Sequence, residues 1–238
     1  MRPILAARSL LFYLGYIPFV SGFSLLSCTL GLLLPIQSRQ TLATTGNWLI
    51  NEWLKLSCGI RVEIIGAENI PPSPVVILSN HQSPWETFYL QRRFRPVSTI
   101  LKKELLKIPF FGWGLASVRP IAIDRSNPRQ AIKEVMRQGK DRINEGMCVI
   151  VYPEGTRMAY GEYGGYARSG ASLAIEANVP ILAVAHNAAR HWPAKKFLKY
   201  PGTITIIFRE PVFPANKTNK ELTQIVEQWI KEQQERIR

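Results

Sequence analysis

Two short polar segments carry the residue types from which a site for acid–base chemistry can be built. The first, Asn80-His81-Gln82-Ser83-Pro84-Trp85-Glu86, follows an apolar run from Val75 to Leu78. The second, Tyr152-Pro153-Glu154-Gly155-Thr156-Arg157, lies about seventy residues later and follows the apolar run Cys148 to Val151. Both runs are typical of buried strands, and ligands bind at the carboxyl ends of strands in open α/β sheets. An imidazole, carboxylates and a guanidinium at two such ends predict a site for an anionic substrate.

His81 and Glu86 have the types and spacing of a base and the group that orients it. Histidine is the usual general base near neutral pH, and a carboxylate one helical turn away can hold its tautomer and stabilise the imidazolium. Two structural alternatives exist. His81 could be a loop histidine bonded to backbone, and Ser83 to Glu86 is a capping box with proline at the first helical position. Spacing alone leaves capping and catalysis open for Glu86, and the two roles are compatible.

The basic residues suggest an anion site near these segments. Arg157 suits bidentate contact with a phosphate, and N–H groups around Gly155 can add to it, although a surface turn with an Arg/Glu ion pair would have the same sequence. Four further cations lie around a second pair of predicted strands: Lys102, Lys103, Arg119 and Arg125. They either extend a phosphate site or form a basic rim that faces anionic lipid, and the residues alone favour the rim.

Other chemistry-bearing residues match no known pattern. His186 and His191 have no second ligand at metal spacing, so we expect structural roles for them and no metal site. The glycines of the 161–170 segment fit neither a P-loop nor a dinucleotide fingerprint, and this segment is expected to be a mobile loop. Three cysteines, an odd number, indicate reduced thiols in a cytosol-facing protein.

The charge of the chain implies an acidic partner. Its 238 residues include 30 Lys and Arg against 17 Asp and Glu, a net charge of +13. Membrane and phosphate partners are favoured, because the cations are spread along the chain and an apolar segment lies at the N-terminus. A nucleic-acid partner is excluded, since there is neither a basic run nor a recognition motif.

The N-terminus is apolar enough to enter a membrane. No charged residue lies between Ser9 and Ser38, which exceeds the ~20 residues that one crossing helix needs. Pro18 and Gly22 interrupt this stretch, and arginines flank it on both sides, so the positive-inside rule does not choose an orientation. A hairpin that enters one leaflet and bends near Pro18 is favoured over a kinked single span and a cleaved signal peptide. Thr41 to Ser57 is predicted as an interfacial helix.

The rest of the chain alternates strands with helices, which predicts an α/β domain with a mixed sheet flanked by helices. We therefore divide the chain into a membrane-anchoring helical segment, 1–58, and an α/β domain, 59–238. Strands are predicted at 60–65, 75–79, 97–101, 121–124, 148–152, 179–185 and 203–208. Helices are predicted at 84–93, 128–145 and 169–177 and after the capping box Thr218 to Glu221. In the 128–145 helix, Asn127 is the predicted cap, and Ile132, Val135, Met136 and Ile143 the predicted buried face.

In order and spacing, four blocks of the chain resemble the lysophosphatidic acid acyltransferases, the 1-acyl-sn-glycerol-3-phosphate acyltransferase family of bacterial membranes. The resemblance covers roughly residues 60–210. The blocks are Asn80 to Glu86; Lys102 to Leu105 with Ile108 to Gly112 and Ile123 to Arg125; Tyr152 to Arg157; and Val179 to Val184. Two departures are visible: Glu86 stands where the family usually has aspartate, and Arg119-Pro120 stands where a glycine is more familiar. The second departure could reshape the headgroup site.

The resemblance implies acyl transfer to the sn-2 hydroxyl of lysophosphatidic acid without a covalent enzyme intermediate. It implies that His81, oriented by Glu86, is the base, that Arg157 with Lys102 and Arg125 holds the phosphate, and that Glu154, Gly155 and Thr156 contact the glycerol. Backbone N–H groups after His81 or Glu154 would bind the oxyanion. Acyl-CoA or acyl carrier protein would be the donor, with no other cofactor. The enzyme would work with membrane lipids at the bacterial inner membrane, its site facing the cytoplasm.

Three other functions remain open at this point. Another lysolipid, such as a lyso-aminolipid or lysophosphatidylglycerol, could be the acceptor, since the altered first block and Arg119-Pro120 leave this open. A thioesterase would leave Arg157 without an obvious task. A basic protein that binds the membrane surface without catalysis would need the His81 and Glu86 pair only as a helix cap.

Overall fold

A computed structural model describes residues 2–238 as a helical pair followed by alternating strands and helices. The α-helices are α1 Arg2–Cys28, α2 Ile36–Cys58, α3 Pro84–Arg93, α4 Phe111–Ser117, α5 Pro128–Asn144, α6 Ser169–Ala177, α7 Ala188–His191 and α8 Asn219–Arg236. The strands are β1 Ile60–Ile65, β2 Val76–Ser79, β3 Val97–Lys102, β4 Ile121–Ile123, β5 Cys148–Val151, β6 Ile181–His186 and β7 Gly202–Phe208. Short 3-10 turns occur at Leu30–Leu33, Ala67–Asn69 and Lys103–Lys107.

The strands form one seven-stranded mixed sheet, as predicted. Its order is β1-β7-β6-β2-β5-β3-β4. The five strands from β6 to β4 pair in parallel, whereas β7 is antiparallel to β6 and parallel to β1. The carboxyl ends of β2, β3, β4, β5 and β6 therefore meet at the same edge of the sheet.

Two hydrophobic clusters hold helices against the two faces of the sheet. Along β2 the side chains alternate between them, with Ile77 in one cluster and Val76 and Leu78 in the other. The first cluster joins the sheet to α1, α2 and α3 through residues such as Ile50 and Trp85. The second joins it to α5, α6 and α8. The alternation is what a strand buried on both faces requires.

The first two helices form a hairpin, but its bend is not at Pro18. Helix α1 continues through Pro18 to Cys28, and the chain turns between Cys28 and Ile36. The predicted position of the bend was therefore wrong. A proline removes one helical hydrogen bond, but contacts with α2 hold α1 continuous. Trp53 of α2 donates to the carbonyl of Phe12 at 3.0 Å, and Gly15 leaves no room for a side chain beside the indole ring.

Helix α2 is also longer and more buried than predicted. It runs from Ile36 rather than Thr41, and Ile50 and Leu54 are 1% exposed in the first cluster. By length and composition, Arg2–Leu33 could cross a membrane. Its outer surface carries exposed apolar side chains: Leu10, Leu11, Leu14, Ile17, Leu25, Leu30, Leu32 and Leu33.

Polar side chains of α2 fix the hairpin turn and join it to the sheet. Arg39 donates to the carbonyls of Gly31 at 2.9 Å and Leu34 at 3.0 Å, and to Ser117 of α4 at 3.1 Å. Gln40 both donates to and accepts from the backbone of Val97, each at 2.8 Å. The turn is thereby held against β3 and α4.

The other predicted strands and helices agree with the observed ones to within two residues at either end, whereas α4 and α7 were not among the predicted helices. Asn127 caps α5 by accepting from the N–H of Gln130, and Thr218 and Glu221 form the predicted capping box of α8. One face was assigned incorrectly, because Ile132 is 54% exposed and the buried stripe of α5 includes Ala131 and Gly139 instead.

Candidate active site

The predicted site residues follow strands whose carboxyl ends share one edge of the sheet. The loop with His81 follows β2, and the turn from Glu154 to Arg157 follows its neighbour β5. Lys102 ends β3, and Arg125 lies two residues after β4. Parallel pairing is what brings these segments together, since each strand delivers its following loop to the same edge.

The His81 imidazole and the Glu86 carboxylate are in direct contact. His81 Nδ1 lies 2.8 Å from Glu86 Oε1. A carboxylate can only accept, so Nδ1 carries the proton and Nε2 keeps a lone pair that can take one from a substrate. His81 is partly exposed whereas Glu86 is 0% exposed. In this arrangement the buried carboxylate of Glu86 fixes the tautomer that a general base needs.

Glu86 also caps helix α3, so the cap and the contact with His81 coexist. The same Oε1 accepts from the N–H groups of Gln82 at 3.0 Å and Ser83 at 2.9 Å. Burial disfavours the charged carboxyl, but the bonds from His81 and Ser83 and the nearby imidazoles outweigh burial and lower its pKa. Glutamate thus reaches the histidine with a well-formed cap, although aspartate is more usual at this position.

Glu154 and its turn clamp the peptide of His81. Glu154 Oε2 accepts from the His81 N–H at 2.6 Å, and Met158 N–H donates to the His81 carbonyl at 2.8 Å. Burial raises the pKa of Glu154 to about 8. Gly155 has φ of +70°, a conformation that is strained for residues with a Cβ. The turn therefore needs glycine, and it fixes the second block against the first.

Tyr152 is a site residue that we did not single out from the sequence. Its ring stacks on the His81 imidazole with 4.1 Å between ring centroids and 19° between planes. Burial raises the pKa of the Tyr152 hydroxyl, so it stays protonated. The available signal was its place at the strand end directly before the Pro153-Glu154 turn. The stacking restricts rotation of the imidazole.

The four cations of the second strand pair do not form one cluster. The Arg125 guanidinium donates to the carbonyl of Gly155, and Lys102 and Lys103 lie at the carboxyl end of β3. Arg119 precedes β4 and pairs with Glu145 at 2.7 Å, so it lies at the opposite edge of the sheet. Its predicted effect on the headgroup site is therefore wrong. Arg157 is exposed beside Thr156 in the turn.

The N–H groups of the loop after His81 are already occupied. Those of Gln82 and Ser83 donate to Glu86, and that of His81 donates to Glu154. In the second turn, the Gly155 N–H donates to the carbonyl of Tyr152. Within residues 2–238, no partner is found for the N–H groups of Thr156 and Arg157. Of the two turns, only the second can supply an oxyanion with free donors.

The other two histidines have backbone partners, and within residues 2–238 no three His, Cys, Asp or Glu side chains are grouped as metal ligands would be. His191 Nδ1 lies 3.0 Å from the Tyr200 carbonyl. His186, which ends β6, is 0% exposed and lies behind Glu86.

A histidine held by a buried carboxylate beside a Glu-Gly-Thr-Arg turn is the site that the resemblance to the acyltransferases implies. A family model described as "Acyltransferase" matches residues 61–187. The 1-acyl-sn-glycerol-3-phosphate acyltransferase of Pseudomonas aeruginosa is 42% identical over 237 residues, 98% of this chain and 92% of that protein. The Saccharomyces cerevisiae protein of that name is 28% identical over 179 residues, 73% of this chain and 59% of its own.

A solved structure shares the fold. The crystal structure of the 1-acyl-sn-glycerophosphate acyltransferase PlsC from Thermotoga maritima aligns with a TM-score of 0.78 and 24% identity, covering 96% of this chain and 94% of that one. These matches confirm the resemblance of the four blocks. The protein belongs to the 1-acyl-sn-glycerol-3-phosphate acyltransferase family.

Proposed function

We propose that the protein transfers an acyl chain from a thioester of coenzyme A or acyl carrier protein to the sn-2 hydroxyl of lysophosphatidic acid, which gives phosphatidic acid. The observation that carries this proposal is the 2.8 Å contact between His81 Nδ1 and Glu86 Oε1 beside the Glu154–Arg157 turn. The name of the Pseudomonas aeruginosa relative supports the choice of acceptor.

In this mechanism His81 acts as the general base. Its Nε2 takes the proton of the sn-2 hydroxyl while the hydroxyl oxygen attacks the thioester carbonyl. The C–S bond then breaks, and the imidazolium returns the proton to the departing thiolate. Glu86 stabilises the imidazolium between these steps. General-base assistance of this kind contributes ~10²–10⁴-fold.

Arg157 binds the phosphate of the acceptor, and Lys102 and Arg125 add positive charge behind it. Three neighbouring strands, β5, β3 and β4, supply these residues at the edge where His81 lies. Glu154, Gly155 and Thr156 contact the glycerol. The phosphate is bound by the turn that carries Arg157, and the base lies in the neighbouring loop that carries His81. This separation places the sn-2 hydroxyl within reach of His81 Nε2.

The oxyanion of the tetrahedral intermediate is bound by the free N–H groups of Thr156 and Arg157. Donors aimed at this oxygen are worth ~10²–10³-fold each. The loop after His81 is unsuitable for this task, because its N–H groups already bond to Glu86 and Glu154.

The cavity between the helical hairpin and the sheet accommodates an acyl chain. Its apolar lining comes from α1, α2, α3, β3 and α4 and includes Phe19, Val20, Phe23, Ala43, Ile50, Phe88, Leu101 and Leu115. His81 does not line the cavity, but Phe88 does, two residues after Glu86 on α3. A chain whose carbonyl lies at His81 would pass Phe88 to enter it.

The protein resides at the bacterial inner membrane with its site facing the cytoplasm, where thioester donors are found. The exposed apolar side of α1 supplies the hydrophobic contact, and the net charge of +13 supplies attraction to anionic lipid, ~1 kcal/mol for each basic residue near the surface. The occupied carbonyls of the hairpin turn also suit entry into one leaflet, since bare backbone groups are costly there.

The test is thiol release from a long-chain acyl-CoA or acyl carrier protein by the detergent-purified protein, with and without lysophosphatidic acid, alongside His81→Ala. Release that needs the lysolipid and is lost in the variant would support the proposal. Equal release without acceptor would show a thioesterase. If lysophosphatidylglycerol or a lyso-aminolipid competes with lysophosphatidic acid and gives faster thiol release, that lysolipid is the acceptor. No thiol release with either donor would indicate a protein that binds the membrane surface without catalysis.

A further inference from the structure

The second oxygen of the Glu86 carboxylate has an unusual environment. Oε1 receives three hydrogen bonds, whereas Oε2 is buried and has no hydrogen-bond partner among residues 2–238. A buried carboxylate oxygen without a donor is costly, because the water it has lost is not replaced. Some other group must therefore help to keep this carboxylate charged.

His186 is the group that faces this oxygen. Its Nε2 lies 3.9 Å from Glu86 Oε2 and 2.9 Å from the carbonyl of Asn80. On the other side of the ring, Nδ1 lies 3.3 Å from the Ala188 N–H and accepts from it. Since a carbonyl can only accept, the proton of the ring is on Nε2. Burial lowers the pKa of His186, so the ring stays neutral and turns its N–H dipole toward Asn80 and Glu86.

His186 is also locked to the residue that precedes the base. The Asn80 amide donates to the His186 carbonyl at 2.9 Å, and the His186 N–H donates to Asn80 Oδ1 at 3.0 Å. With the ring contact, three hydrogen bonds join the two residues. They join the ends of β2 and β6, which are neighbours in the sheet. The start of the His81 loop is thereby held in place from the strand behind it.

We infer that His186 is a positioning residue for acyl transfer, acting through Asn80 and Glu86 without touching either substrate. Its Nε2–H holds the peptide that leads into His81, and the same dipole stabilises the charge on Glu86 through the otherwise unpartnered Oε2. This inference rests on the proposed function, because it assigns His186 to the His81 and Glu86 pair of that reaction.

Three variants separate this role from simple packing. His186→Leu removes the donor at similar volume, and His186→Gln places an amide N–H near the position of Nε2. His191→Leu is the matched control, because His191 is also buried and bonded to a backbone carbonyl but, among residues 2–238, has no hydrogen bond or ion pair with His81 or Glu86. We expect His186→Leu to lower kcat about 10- to 100-fold, because the buried Asn80 carbonyl loses its donor and the dipole that faces Glu86 is removed. KM for lysophosphatidic acid should change less than about twofold, since His186 binds no substrate.

The conservative variant and a double-mutant cycle complete the test. His186→Gln should recover most of kcat, and His191→Leu should stay within about twofold of wild type even if it unfolds at a lower temperature. In a Glu86→Gln background the cost of His186→Leu should shrink, because no charge is left to stabilise and only the bond to the Asn80 carbonyl is lost. Equal costs in both backgrounds, or a loss in His186→Leu no larger than in His191→Leu, would overturn the inference.

A readout that needs no turnover separates this inference from the proposed function. The chain has three histidines, so the downfield Nδ1–H proton resonance of His81 can be assigned with single variants. This resonance should shift in His186→Leu, or in His186→Asn if the leucine variant does not fold, and stay in place in His191→Leu. No shift would refute the role of His186, whereas a shift in a protein that fails to acylate lysophosphatidic acid would refute only the proposed function.

Discussion

Replacing Glu86 by glutamine should nearly abolish acyl transfer while leaving the fold intact. At 2.8 Å, a carboxylate attracts an imidazolium by about 6 kcal/mol at an effective dielectric constant of ~20. Glutamine keeps the acceptor oxygen and loses the charge, so part of this attraction survives as a hydrogen bond. We expect a loss of about 3–5 kcal/mol of transition-state stabilisation, which is ~10²–10⁴-fold in kcat/KM.

The assay is lysophosphatidic acid-dependent thiol release at neutral pH, with thermal unfolding of the same preparations. The matched control is Glu221→Gln, because Glu221 closes the capping box of α8 with a 2.7 Å bond to the Thr218 N–H and is not bonded to a histidine. It should keep full activity and lose at most about 1 kcal/mol of stability. A Glu86→Gln enzyme within tenfold of wild type would refute the assignment of Glu86 as the partner of the base.

Three further outcomes follow from the same geometry. Arg157→Met should raise KM for lysophosphatidic acid about 10- to 100-fold and leave KM for the thioester nearly unchanged, since it removes a charged donor to the phosphate; steady-state kinetics with each substrate varied would show an equal rise in both if this is incorrect. Ala43→Phe, in the wall of the cavity, should shift the preference toward shorter acyl chains, and an unchanged profile across a thioester series would place the chain elsewhere. Because the pKa of Glu154 is raised to about 8 from an ordinary value of 4.5, its contribution to stability is complete below about pH 4.5 and is lost as the pH rises to 8. Allowing for partial exposure, the free energy of unfolding of Glu154→Gln should decline by about 2 kcal/mol less than that of wild type as the pH rises. Urea unfolding between pH 5 and 8 measures this, and an equal decline in the two proteins would contradict the shift.

Local signals were sufficient for most of the fold and for the components of the site. Apolar runs predicted the strands, and the caps at Asn127 and Thr218 predicted where two helices begin, because these patterns depend on neighbours in sequence. The contact between His81 and Glu86 is of the same kind, since five positions separate them across one helix start. The spacing therefore predicted both the helix cap by Glu86 and its contact with His81.

Long-range packing decided what these signals could not. Pro18 suggested a bend, but contacts between α1 and α2, among them Trp53 with the Phe12 carbonyl, hold the helix through it. Arg119 and Arg125 are close in sequence yet lie at opposite edges of the sheet, because β4 runs between them. No pattern of neighbouring residues in the sequence predicts how far apart these two arginines lie in the folded sheet.

By itself, then, the sequence determined the sheet, the helix starts, the pairing of His81 with Glu86 and the membership of the family. Only the tertiary structure decided which N–H groups stay free, that Tyr152 stacks on His81, and that His186 lies behind Glu86. The physical reason is that the first set depends on residues within a few positions of each other. The second depends on residues that follow or end neighbouring strands and lie about seventy to a hundred positions apart in the chain, and their contacts exist only after the sheet has formed.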